Sequence, residues 1–268
     1  MQEVRLQAGI EHKTRIRLWR TDDPTLGGRL ELAHTIGTLE QRTELLSRFE
    51  LAELRNSSST FFTEDNGYEP IKHAPGNGSP RVDVGDIPLQ TFPSQMSTWL
   101  TDTQSDVQLS IALARSHGVA SLSNSTIDIM QHRRGAPFSG SGSTVVIDDT
   151  DRTFSETWLS VGNVSRSNEL RHANKLRLNH PPLLLFDTAG TKATPLLHPL
   201  QRTVARTPTD PLAAQIADLP TNVLLQNVRA TSANRSELML TLLHVFGSNE
   251  QPAASSRPTP LDLTSIIN

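Results

Sequence analysis

Cysteine is missing from all 268 residues. Its absence removes disulfides, zinc–thiolate sites and a cysteine nucleophile in one step. It leaves the compartment open, because secreted proteins also occur without disulfides. Aromatics are sparse, with three Trp and one Tyr in a chain that is 4% aromatic. A core must therefore be built chiefly from aliphatic side chains. No basic run occurs and the formal net charge is −3, so the electrostatic footprint of a nucleic-acid partner is lacking. No stretch approaches the roughly 18 apolar residues of a membrane span. Met1 is not followed by a signal-peptide pattern. The chain opens directly on strand-like sequence, as a piece of a longer protein would.

What is present alternates with a period of two. "TRIRLWR" (14–20), "GRLELAHTI" (28–36), "QMSTWLTD" (95–102), "DVQLSIALARS" (106–116) and "STIDIMQHRR" (125–134) read as half-buried strands. Leu109, Ile111 and Leu113 share one face of their segment, as do Ile127, Ile129 and Gln131 of theirs. "STVVIDD", "ETWLSVG", "PPLLLFD", "TNVLLQNV" and "ELMLTLLHVF" continue the series. The third and fifth are continuous apolar runs, which fit strands covered on both faces or ordinary central core strands. Helical patterning is scarce: "TLEQRTELLSRFELAEL" (38–54) fits helix or strand, and "DPLAAQIADL" (210–219) is a second helix candidate. Many short strands split by Gly, Pro, Ser and Asn predict an all-β chain, a large antiparallel β-sandwich. We place the main sandwich at residues 1–205, with 206–268 supplying further strands of a smaller, incomplete β unit. Within "FFTEDNGYEP" (61–70), Asn66-Gly67 is a strong hairpin signal, because both residues tolerate positive φ.

Chemistry-bearing groups are few. His132-Arg133-Arg134 ends a strand, where guanidiniums either grip a carboxylate, phosphate or sugar hydroxyls, or merely pair with surface acids. Asp148-Asp149-Thr150-Asp151 sets three carboxylates in four residues, fit for a metal, an acid/base pair or a plain acidic turn. The nine histidines form no His-x-x-x-His pair, and no Gly-x-Ser-x-Gly elbow occurs. Five Asn-x-Ser/Thr sequons, at Asn56, Asn77, Asn124, Asn163 and Asn234, hint weakly at the secretory pathway.

Four stretches together are familiar. "SRFELAELRNSSSTFFTEDNGYEP" (47–70), with its aromatic-rich Asn-Gly turn, resembles the C-terminal half of the family 38 α-mannosidases. "IPLQTFPSQMSTWLTD" (87–102), "RSHGVASLSNSTIDIMQHRR" (115–134) and "LPTNVLLQNVRATSANRSELMLTLLHVF" (219–246) resemble later segments of that family, in the same order. His132 and the "LLHVF" ending lean toward the lysosomal type over the Golgi type. The resemblance implies a galactose mutarotase-like sandwich from a retaining exo-α-mannosidase acting on glycoprotein N-glycans. Retention of configuration uses two carboxylates about 5 Å apart. In such enzymes the nucleophile and a zinc ion sit on an N-terminal catalytic domain. That domain would be this chain's partner, together with mannose-containing glycans, and the chain would bind no cofactor of its own. It also implies a lysosomal or other endomembrane compartment. By carry-over His132, Arg133 and Arg134 line the substrate pocket, and the Asn66-Gly67 turn is structural, with Tyr68 packing on it or capping it. Asp148 and Asp149 correspond to an acidic pair that in the family follows the arginines closely. Here "GAPFSGSGSTVVI" intervenes, which puts their substrate contact in doubt. Two alternatives remain: a non-catalytic carbohydrate-binding sandwich, which would present exposed aromatics, and a purely structural sandwich with an uncovered apolar face.

Overall fold

The computed structural model describes residues 2–8, 12–19, 28–54, 60–67, 69–74, 91–135, 148–181, 219–220, 222–230, 238–248, 250 and 252–262. The chain divides into two compact units, Met1–His180 and Pro181–Asn268. The expected boundary near residue 205 lies outside the described residues, as do "STVVIDD" up to its last two residues, "DPLAAQIADL" up to its last residue, and nearly all of "PPLLLFD".

In the first unit the strands are β1 (Gln2–Ala8), β2 (His12–Leu18), β3 (Arg29–Ile36), β4 (Thr43–Glu50), β5 (Phe61–Asp65) and β6 (Glu69–His73). They continue with β7 (Phe92–Ser94), β8 (Ser97–Asp102), β9 (Val107–Leu113), β10 (His117–Ala120), β11 (Thr126–Arg134) and β12 (Thr153–Gly162). One sheet runs β1-β2-β3-β12-β9-β8-β5-β6 and a second runs β4-β11-β10-β7. Every pairing is antiparallel. The inward residues of both sheets form one apolar cluster: Leu32, Leu100, Leu109, Ile111 and Leu159 from the first, Val119, Ile127 and Ile129 from the second. The expected antiparallel sandwich is what the chain forms.

Within segment 38–54, Thr43–Glu50 forms strand β4, paired along β11, and no helix forms there. The helix lies elsewhere, at α1 (Val164–Asn179), where "VSRSNELRHANKLRLN" carries no apolar stripe. Its buried residues are almost all polar: Ser167, Asn168, Arg171, His172, Asn174 and Lys175, with Leu170. It starts at Asn163, whose Oδ1 accepts from Arg166 N at 2.8 Å. Asn163 and Asn124, both sequon asparagines, are exposed.

The predicted Asn-Gly hairpin forms between β5 and β6, with Asp65 opposite Glu69. Asn66 and Gly67 take φ of 59° and 73°. Gly67 suits the turn through its positive φ, and a Cβ there would come within 2.3 Å of Met96 Sδ, which would have to shift. Tyr68 lies outside the described residues.

The second unit holds β13 (Val223–Ala230) and β14 (Leu238–His244), paired antiparallel. Leu219, Leu225, Leu240, Leu242 and Leu261 cluster on one side. Met239 and Thr241 are exposed on the other, so β14 is covered on one face within its unit, despite its continuous apolar run. Asn222 ties the hairpin to the following segment through Ser255 O at 3.0 Å and Thr259 Oγ1 at 2.6 Å.

Candidate functional site

A β-bulge decides where the His-Arg-Arg triplet points. Along β11 the register with β4 slips between Met130 and His132, so Gln131 is the extra residue. Up to Met130 the odd positions face inward, Ile127 opposite Phe49 and Ile129 opposite Ser47. Beyond the bulge His132 stands opposite Leu45 and takes the inward register. Gln131 therefore does not continue the Ile127–Ile129 face as a paired strand position, contrary to simple alternation. Both its amide atoms and His132 Nε2 are buried without a hydrogen bond.

Adjacent strand residues point to opposite faces in any register, and the slip sets which arginine takes which face. Arg133 lies across from Glu44 and pairs with it at 2.9 Å, its side chain 44% exposed. Arg134 turns the other way: its Nε donates to Asp148 at 2.6 Å and its Nη1 to Leu39 O at 2.8 Å. Thr38 Oγ1 donates to Thr150 O at 2.8 Å, which holds the acidic segment against the end of β3. Asp149 closes its own turn instead, accepting from Asp151 N at 2.9 Å. The fold thus joins Arg134 with Asp148 across a long intervening stretch, while Arg133 and Asp149 stand apart from that pair. Such an Arg–carboxylate pair offers fixed donors and a half-exposed acceptor at one end of the sandwich.

Two further polar constellations carry no sequence motif. On the inner face Thr14 Oγ1 and His34 Nδ1 lie 3.0 Å apart. Next to them Ser155 Oγ meets His117 Nε2 at 3.0 Å, and His117 Nδ1 meets Met130 O at 2.8 Å. Burial, with His117 adding repulsion, lowers His34 to about 4. Burial also lowers His117, partly offset by its bond to Met130 O, while Arg115 pushes the same way as burial.

The second constellation explains "FFTEDNG". Glu64, on the outer face of β5, is buried and accepts from both Arg171 and Lys175 of α1, the latter at 2.8 Å. Lys175 Nζ also donates to Gly67 O at 3.1 Å. The Arg171 guanidinium lies 3.7 Å from the ring centroid of Trp99, which stacks on Phe62. Gln108 Nε2 reaches Asn168 Oδ1 at 2.8 Å. The turn is thus a structural clasp for a polar helix. Glu64 was missed because its partners are about a hundred residues away in sequence.

No protein-family model matches the sequence. Comparison with curated proteins aligns nearly the whole chain with the epididymis-specific α-mannosidase of Homo sapiens: 27% identity over 263 residues, 92% of this chain and 25% of that protein. The Sus scrofa protein of the same name is 25% identical over 257 residues, 89% of this chain and 24% of its own length. The sequence relatives are α-mannosidases. The chain spans about a quarter of their length. Among solved structures, an α-mannosidase from Enterococcus faecalis aligns over 62% of this chain and 17% of its own, at 14% identity and a TM-score of 0.44. A family 38 glycosyl hydrolase from the same organism gives 12% identity and a TM-score of 0.42.

Proposed function

We propose that this chain is the C-terminal β-sandwich portion of a retaining α-mannosidase that removes terminal α-mannose from N-glycans. The observation that carries it is collinear similarity to α-mannosidases over about nine-tenths of the chain. In this capacity the sandwich forms one wall of the substrate pocket and braces a catalytic domain that lies outside it. Arg134, held by Asp148 and Leu39 O, is the side chain best fixed to meet a sugar hydroxyl. His132 and Arg133 flank it along the bulged strand end, and Asp149 shapes the acidic turn beside Asp148. As the family resemblance implies, this reading assigns zinc to the catalytic domain and no chemical step to this chain. No described helix is long and apolar enough to cross a membrane.

The test is hydrolysis of an aryl α-mannoside with added zinc, by this chain and by the intact parent protein. The chain alone is expected to give no turnover. In the parent, Arg134→Ala is expected to lower kcat/KM by about tenfold or more, the cost of one charged contact. Zinc-dependent turnover by the chain alone, or a parent with no α-mannosidase activity, overturns the proposal.

A further inference from the structure

The outer face of the larger sheet is covered unequally. Helix α1 lies over β9, β8 and β5, through Asn168 on Gln108 and Arg171 with Lys175 on Glu64. Across β2, β3 and β12 the same face opens into a cleft of about 740 Å³. Its side chains follow from the register. Ile16, Leu32 and Leu159 pack on the core, so Lys13, Arg15, Ala33, Thr35, Phe154 and Glu156 project outward.

Two rows cross the cleft. In one, Arg15 stands opposite Ala33, and Ala33 opposite Glu156; in the other, Lys13 stands opposite Thr35, and Thr35 opposite Phe154. Adjacent strands are about 4.8 Å apart, so the outer members of each row are separated by about 10 Å across a small central residue. One wall is therefore cationic, the floor is Ala33 and Thr35, and the other wall is a phenyl ring and a carboxylate. Neither Lys13 nor Arg15 has an ion-pair partner among the described residues, and Arg15 Nε is buried without a hydrogen bond. Glu156 is aimed: its Oε1 accepts from Trp158 Nε1 at 2.8 Å. Phe154 is 65% exposed, the most exposed large apolar side chain among the described residues.

We propose that this cleft binds a sugar bearing a carboxylate group. The pyranose lays its C–H face on Phe154, Glu156 accepts ring hydroxyls, and Lys13 with Arg15 takes the anionic group. Two cations with no ion-pair partner among the described residues stand beside a solvent-facing phenyl, and an anion is what would satisfy the buried Arg15 Nε. The choice of a sugar over other acidic ligands rests on the α-mannosidase reading; the charge preference does not. The site lies on the outer face of β2-β3-β12, on a different sheet from Arg134 of β11.

Calorimetry on the full chain tests this with sialyllactose and lactose, a pair differing by one acidic sugar. Sialyllactose is expected to bind about tenfold tighter or more. Phe154→Ala should weaken it by about tenfold, and a Lys13→Gln/Arg15→Gln double variant should erase the preference. Ala33→Leu, which fills the floor, should abolish binding. Thermal melts on each variant establish that it is folded, and Lys13 and Phe154 are exposed enough for that to be expected. Equal binding of the two sugars, binding of neither, or indifference to Phe154→Ala overturns the proposal. So does binding of inorganic phosphate or adenosine monophosphate as tight as that of sialyllactose. The readout involves no turnover, so its failure leaves the mannosidase proposal standing, and inactivity of the parent on mannosides leaves the charge preference of the cleft intact.

Discussion

Single side chains in this protein show how much burial changes the meaning of a polar residue. Glu64 sits inside a turn motif, yet its carboxylate is buried between Arg171 and Lys175. Replacing it by Gln keeps the shape but removes the charge that both cations share. Breaking a buried ion pair from one side costs about 3–5 kcal/mol. Glu64→Gln is therefore expected to lower the urea midpoint substantially, and an unchanged midpoint would show that the cations are compensated elsewhere. His34 gives a pH dependence. It is held neutral in the fold, with Nε2 buried and unbonded and its titration lowered to about 4 by burial and by His117. In the unfolded chain it titrates near 6.5. Between those values the unfolded state binds the extra proton, so stability falls as pH drops below about 6.5 and stops falling near 4 on this account. The loss is on the order of 3 kcal/mol. Urea unfolding at neutral pH and at pH near 4.5 should show a smaller difference in His34→Gln than in the unchanged protein.

At the scale of elements, strands and helix were unequally readable. The alternation in β3, β9 and β11 marks one face apolar, and each became a strand with that face on the core. Segment 38–54 fitted both periods; β4 formed because β11 offers it a full antiparallel partner, with Arg48 gripping Asp128 at 2.7 and 2.8 Å across the pair. Helix α1 gave no signal because it buries a polar face against a polar sheet surface. Apolar periodicity reports helices only when what they cover is apolar. Its start was nonetheless written locally, in Asn163. Asn163→Ala is expected to cost about 1 kcal/mol, measurable as a lower thermal midpoint, while Asn163→Ser or Asn163→Asp should hold the midpoint close to that of the unchanged protein. The bulge at Gln131 was equally silent in sequence, yet it decides that His132 faces inward and which face each of Arg133 and Arg134 takes.

For the first unit as a whole, both sheets share one core, so neither is a separate cooperative entity. Ile129, fully buried on β11, touches the cluster that also holds Ile111 and Leu100 of the other sheet. Ile129→Ala is expected to destabilise by about 2–5 kcal/mol. Far-UV dichroism and tryptophan fluorescence should shift together, because Trp99 and Trp158 are on the opposite sheet; separate transitions would break the single-core account. Composition and period-two patterning, which are local, determined that this chain is all-β, aliphatic in its core and antiparallel in character. The turn at Asn66-Gly67 was local too, since positive φ is a property of those residues themselves. Which polar groups meet was decided only in three dimensions. Glu64 with Arg171 and Lys175, Arg134 with Asp148, and the cationic wall facing Phe154 each join residues from different elements of the fold. Register and one bulge set those meetings, and both depend on the whole set of packed neighbours rather than on any stretch of chain.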